Sequence, residues 1–303
     1  MQAGSVPPPS PTSRDWGHLL LLSLMWGTSF LCTRVGVTAW PATSVVAARL
    51  LLGVVVLVAV LRASGYALPR DAALWRRYLV LGLLGNAIPF SLITWGQAGI
   101  DSGLAAILLA IMPLGTLVMA HVAIEGEHMT RARAGGFVVG FLGLVLLVGP
   151  AAVRRLGGEA SELPHQLAVV AGALCYSANA IVARRLPPTH ALVNTTASVG
   201  MATLIMVPIA IVRDRPWTLP CSLETSLAIG WLGVVSTAAA TVVYFGIIAS
   251  AGPTFLSLTN YLIPIVAVVL GVVALGEDLS PRAIAALAVI LAGIAISQRQ
   301  RRP

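Results

Sequence analysis

The chain reads as an all-α integral membrane protein of about ten transmembrane helices, built as two inverted five-helix repeats. Three observations carry that reading. Of its 303 residues 57% are hydrophobic and only 10% are charged, with a mean hydropathy of +0.90, too little polar surface to cover a soluble fold of this size. Apolar stretches of membrane-crossing length follow one another along the whole chain. The two halves also repeat each other: Trp26 and Arg34 in SLMWGTSFLCTRVG correspond to Tyr176 and Arg184 in ALCYSANAIVARRL, and Gly126-Glu127 with Thr130 corresponds to Gly276-Glu277 with Ser280.

Residues 1–15, MQAGSVPPPSPTSRD, are Pro- and Ser-rich without a basic region leading into a cleavable apolar core, and are predicted to be a disordered tail, not a signal peptide. Spans are predicted over 18–36, 42–61, 78–98, 103–122 and 134–150, and again over 166–184, 191–212, 225–248, 254–275 and 282–297. A first repeat over 16–150, an inter-repeat loop over 151–165, a second repeat over 166–298 and a basic tail over 299–303 follow. Trp16, Trp40, Trp75 and Trp217 stand at segment ends, where an amphipathic ring suits the headgroup zone.

Arginine supplies all 19 basic residues, and the formal charge is +8. In a soluble protein that balance would suggest nucleic acid, but here the arginines flank apolar segments and orient the chain, so no nucleic-acid partner is expected. With alternate loops assigned to opposite sides and Arg49 left inside a helix, twelve arginines fall on the side of the termini and six on the other. Both termini are therefore predicted to be cytoplasmic. Five crossings per half oblige the second half to enter the membrane upside down, and two inverted halves supply two near-equivalent packings that open alternately on each side.

These landmarks resemble the EamA group of the drug/metabolite transporter superfamily, over residues 16–298. The resemblance rests on Trp26-Gly27, Pro41 followed by Arg49, Pro113, Gly126-Glu127 and the small-residue helix GGFVVGFLG, then Tyr176, Asn179, Pro264 and Gly276-Glu277. It implies a ten-helix secondary transporter of the inner membrane, exporting a small organic metabolite such as an amino acid, a derivative or a drug-like compound. Two departures mark the second half: Tyr176-Ser177 replaces Trp26-Gly27, and Ser198 stands where Arg49 would fall.

Polar groups at mid-membrane depth are costly and must face protein or a water-filled path. Trp26, Ser29 and Thr33 share one face of the first span, with Tyr176 and Asn179 on the matching face of the sixth. Asn86, Phe90, Thr94 and Gln97 form a stripe on the third, and Thr237, Thr241 and Tyr244 one on the eighth. The ninth adds Asn260 and Tyr261 beside Ser257, one turn before Pro264. The expected cavity wall is Trp26, Ser29, Asn86, Thr94, Gln97, Tyr176, Asn179, Thr241, Tyr244, Asn260 and Tyr261. The plainer reading of each Ser and Thr is a hydrogen bond between helices. Gly136, Gly140 and Gly143 are spaced for close helix approach.

Arg49, Pro113, Pro264, Glu127 and Glu277 are the expected gating or structural residues. Arg49 either snorkels to the interface or holds a substrate carboxylate or a repeat-to-repeat contact, and the prolines either kink for packing or take part in gating. None of the eleven acids lies near the centre of a predicted span, so the candidates for a coupling proton are Asp101, Glu127 and Glu277 at helix ends. For Glu127 and Glu277, with Thr130 and Ser280 following at cap positions, tying helix termini is the competing role. Five histidines without ligand spacing, three scattered cysteines, and no P-loop or G-x-G-x-x-G turn predict no metal, disulfide framework or cofactor. The partners expected are the lipid bilayer and a small-molecule substrate. A membrane-embedded enzyme is the main alternative, but it needs paired aspartates or a Ser/His pair at one depth. An uptake permease or facilitator of the same fold is the other.

Overall fold

In the computed structural model the described residues are 11–100, 102–125, 127, 129–149, 154, 156, 162–263, 265–266 and 281–298. They form helices and connecting turns, with no strand among them. The first half runs α1 (Ser13–Ala39), α2 (Ala42–Ala63), α3 (Ala72–Gly82), α4 (Ile88–Gly99), α5 (Ser102–Leu109), α6 (Met112–Ala123) and α7 (Arg131–Val148). The second runs α8 (Leu163–Arg184), α9 (Ala191–Asp214), α10 (Leu223–Gly233), α11 (Ala240–Ala251), a single helical turn at Pro253–Leu256 and α12 (Pro281–Gln298). A π-helical turn joins α3 to α4 at Leu83–Ala87, and another joins α10 to α11 at Val234–Ala239, so each pair is one continuous span.

Helix starts follow local chemistry. Thr12 and Asp15 form a capping box, with Asp15 accepting from the Thr12 amide at 2.8 Å and Thr12 accepting from the Asp15 amide at 3.3 Å. The first helix therefore begins within the stretch expected to be tail. Asp71, Thr130 and Ser222 cap α3, α7 and α10 through their side chains. Pro164 occupies the first turn of α8, where its missing N–H costs nothing.

Six helices among the described residues are long and apolar enough to cross a membrane: Ala42–Ala63, Ala72–Gln97, Arg131–Val148, Leu163–Arg184, Ala191–Asp214 and Leu223–Ala251. The 27-residue α1 and two shorter apolar helices, Ile107–Ala123 and Ile284–Ser297, stand where three further spans were expected. Residues 264 and 267–275 of the remaining expected span, 254–275, lie outside the described residues, Pro264 among them, as do Glu277, Asp101 and Gly276. Val55, Leu142, Leu204 and Leu227 are exposed on outward faces, as suits lipid-facing positions.

Packing between the halves is reciprocal. Helix α2 pairs with α9 and α7 with α12, each with its counterpart in the repeat, while α1 lies along α10 and α11 as α8 lies along α4. The α7–α12 pair is the closest, because glycine faces glycine: a Cβ on Gly136 would lie 2.5 Å from the Ser297 backbone nitrogen and one on Gly143 2.8 Å from that of Ile290.

The start of α1 and the end of α12 lie at the same end of the bundle, and that end is sealed. The Trp16 ring packs edge-on against Phe255 at 4.9 Å, and Ser250 donates to Asp15 at 2.6 Å. Arg184 donates to the Ile248 and Ala249 carbonyls at 2.9 Å, and Arg185 to that of Ala123. Tyr78 donates to Asn194 at 2.8 Å. Leu19, Leu22, Leu117, Ile247 and Phe255 fill this end with side chains excluded from solvent.

A candidate substrate cavity

Above that seal, between the two halves, lies a cavity of about 130 Å³, close to the roughly 150 Å³ that accommodates a benzene ring in an engineered apolar cavity. Trp26, Ser29 and Thr33 of α1 line it, with Asn86 of the first π turn and Phe90, Thr94 and Gln97 of α4. Tyr176 and Asn179 of α8, Thr241 and Tyr244 of α11, and Asn260 complete the polar and aromatic wall. Ten of the eleven expected wall residues thus meet around one space. Tyr261 does not: it is fully buried on another side, its hydroxyl donating to the Phe137 carbonyl of α7 at 2.8 Å and its ring packed where a Cβ on Gly140 would intrude. It fixes helix packing instead.

The two π turns shape the cavity, each carrying one residue more than an α-helical turn and so shifting which side chains face inward. In the first, Gly85 and Asn86 both reach the wall. In the second Ser236 takes the wall position, while Thr237, expected there, turns toward α2. The Trp26 indole donates to the Ser236 carbonyl at 3.3 Å, and the Ser236 hydroxyl donates to the Met25 carbonyl at 3.0 Å, so α1 is stitched to the π turn of the other half. At the equivalent place in the first half, Asn179 of α8 rests on Gly85, where a Cβ would approach within 2.7 Å of its amide oxygen. The Asn179 amide nitrogen donates to the Tyr244 hydroxyl at 2.6 Å, and its oxygen, though buried, has no hydrogen-bond partner among the described residues. Trp26 and Tyr244 face each other at 6.1 Å between ring centroids, Phe90 and Tyr176 at 6.4 Å.

Arg49 does not snorkel. It is only 7% exposed and lines the cavity, its Nε donating to Thr237 Oγ1 at 3.1 Å across the repeat boundary and its guanidinium lying 4.0 Å from the centroid of the Phe90 ring. Among the described residues no carboxylate lies within ion-pair distance of it. Pro113 is no internal kink: it sits in the first turn of α6, after the interruption at Ala110 and Ile111, and the Met112 carbonyl beside it accepts from the Ser177 hydroxyl at 3.0 Å. Glu127 is buried away from the cavity. One of its oxygens accepts from Thr254 at 2.7 Å and lies 3.6 Å from Arg133, while the other has no partner. It ties the α6–α7 turn to the other half.

Sequence reasoning missed Ser198, Ser236, Ile93, Leu109 and Met112 as wall residues. Ser198 had a signal, since it is the repeat counterpart of Arg49. The apolar three carry no mark that separates a cavity wall from a lipid-facing surface.

An apolar helical bundle made of two inverted halves around a polar, aromatic-lined space is the architecture of a multi-pass membrane transporter. The profile of the EamA-like transporter family matches residues 16–149 and again residues 164–298, and the chain belongs to that family. It is 26% identical over 93% of its length to the "Uncharacterized inner membrane transporter YedA" of Escherichia coli strain K12, covering 89% of that protein. It is 25% identical to the "Probable terminal-alkyne amino-acid exporter" of Streptantibioticus cattleyicolor, covering 93% of this chain and 92% of that one. It is 22% identical to the "Uncharacterized transporter YoaV" of Bacillus subtilis, covering 91% and 94%. A solved crystal structure at 23% identity superposes on 95% of this chain and 99% of its own with a TM-score of 0.76. These relatives are named as transporters, not enzymes.

Proposed function

We propose that the protein exports a small organic metabolite, an amino acid or derivative or a drug-like compound, across the cell inner membrane by alternating access. The observation that carries this reading is a cavity walled by both halves, closed off at the end of the bundle where α1 begins and α12 ends. A space walled by two inverted halves opens at either end by exchanging which set of contacts is made. The arginine bias supports a cytoplasmic position for the sealed end, and the name of the Streptantibioticus cattleyicolor relative supports amino-acid-like cargo and outward transport.

The test is untargeted mass spectrometry of small molecules inside and outside cells that overexpress the protein, lack it, or carry Trp26→Ala with Asn179→Ala. The expected result is a solute that leaves the cytosol only with the intact protein. Identical profiles for wild type and double variant would sink the export reading or the cavity assignment, and the appearance of a new chemical species would favour an enzyme.

A further inference from the structure

The cavity contains a charge with no counterion among the described residues. Removing a guanidinium from water is expensive unless an acceptor or an opposite charge replaces the lost hydration, yet Arg49 spends one donor on Thr237 and stacks one face on Phe90. Its two terminal amino groups make no hydrogen bond to the described residues, and the side chain lines the cavity. They form the planar fork that matches a carboxylate bidentately. The Thr237 and Phe90 contacts fix the plane of that fork from two different halves of the molecule, so the donor geometry is set before any cargo arrives.

From this unpaired fork in an aromatic-lined cavity we propose that Arg49 is the anchor for the carboxylate of a monoanionic or zwitterionic solute. Trp26, Phe90, Tyr176 and Tyr244 would hold the solute's apolar body. A single carboxylate neutralises the single cation. A cationic or uncharged amine-bearing drug would leave Arg49 unpaired or repelled and is disfavoured as cargo. Asn179 also lines the cavity, its amide nitrogen held by the Tyr244 hydroxyl. The site rests on the transporter reading for its purpose, but not for its chemistry, which a binding measurement reads by itself.

The experiment compares phenylacetate with its near-isostere phenylacetamide as ligands of the full-length purified protein in detergent, read by ligand-induced shifts in melting temperature over a concentration series. Wild type should bind the acid at least about tenfold more tightly than the amide, as expected for a charge-assisted bidentate pair. Arg49→Gln should lose that preference. Arg49→Lys keeps the charge without the planar fork, and should retain a reduced preference of a few fold; it keeps the test decisive should the glutamine variant not fold. Equal affinity of wild type for acid and amide overturns the proposal, as does an unchanged preference in a folded Arg49→Gln. Acid-selective binding in a protein that changes no metabolite profile would retain the carboxylate site and sink the export reading. Export of only neutral or cationic solutes, with no acid preference, would do the reverse.

Discussion

The two halves use one backbone plan to present different chemistry. In the first, the π turn offers Gly85 and Asn86 and the neighbouring α2 supplies a buried arginine. In the second, the equivalent turn offers Ser236 and Thr237, and the residue matching Arg49 is Ser198, whose hydroxyl spends itself on the Thr195 carbonyl at 3.2 Å. Each half also places one aromatic on the cavity wall, Trp26 or Tyr176, and the indole reaches across to the other half's backbone. What the duplication preserves is a π turn beside the cavity in each half. What it has let diverge is the charge, so under the proposed function cargo recognition belongs chiefly to one half and motion to both.

The largest effect should come from the symmetric pair that both halves need. A Cβ on Gly293 would press on the Gly140 backbone nitrogen and lie 2.7 Å from the Gly136 carbonyl. Backbone cannot rotate away, so Gly293→Val is expected to cost about 3 kcal/mol or more, read as loss of monodisperse protein in fluorescence-detected size exclusion. A variant with unchanged melting temperature would show that the α7–α12 contact is looser than described.

The two π turns should respond unequally. Gly85→Ala drives a methyl group into the Asn179 amide and should lower flux about tenfold, a cost on the order of 1–3 kcal/mol for overpacking. Ser236→Ala removes only one hydroxyl bond to the Met25 carbonyl and should cost about 1 kcal/mol with flux within a few fold of wild type. Equal losses would mean that the halves share cargo contacts more evenly than their chemistry suggests. Equal to it in stability is Trp26→Phe, which keeps an aromatic wall but frees the Ser236 carbonyl. Thermal unfolding should fall by the equivalent of about 1 kcal/mol, whereas Tyr176→Phe, with no hydrogen bond to the opposite half, should leave stability nearly unchanged.

Much of this arrangement was legible in the sequence because α-helical periodicity projects well. Asn86, Phe90, Thr94 and Gln97 fall on one stripe by counting threes and fours, and the repeat paired Trp26 with Tyr176 without any structure. Tyr261 was misplaced because adjacent residues on a helix point about 100° apart, and its partner Phe137 is far away in sequence. The swap of Ser236 for Thr237 was invisible because a π turn shifts the register by one residue while leaving composition unmarked. Arg49 lies near enough to a helix start for its long side chain to reach the interface. Only the packing of Phe90 and Thr237 against it, from two other spans, decides that it stays inside.

The central claim is reciprocal opening of two ends around one cavity, and paired spin labels measure it directly. Arg14 and Pro187 report the sealed end, while Thr38 and Leu163 report the end toward which Thr33 and Gln97 lead. In lipid nanodiscs the wild-type distances are compared with those in Arg184→Ala, which removes two hydrogen bonds to the Ile248 and Ala249 carbonyls from the seal. Alternating access predicts that the Arg14–Pro187 distance distribution lengthens while the Thr38–Leu163 distribution shortens. A seal that loosens with no change at the far end would contradict the account and leave a pore or a one-sided pocket in its place.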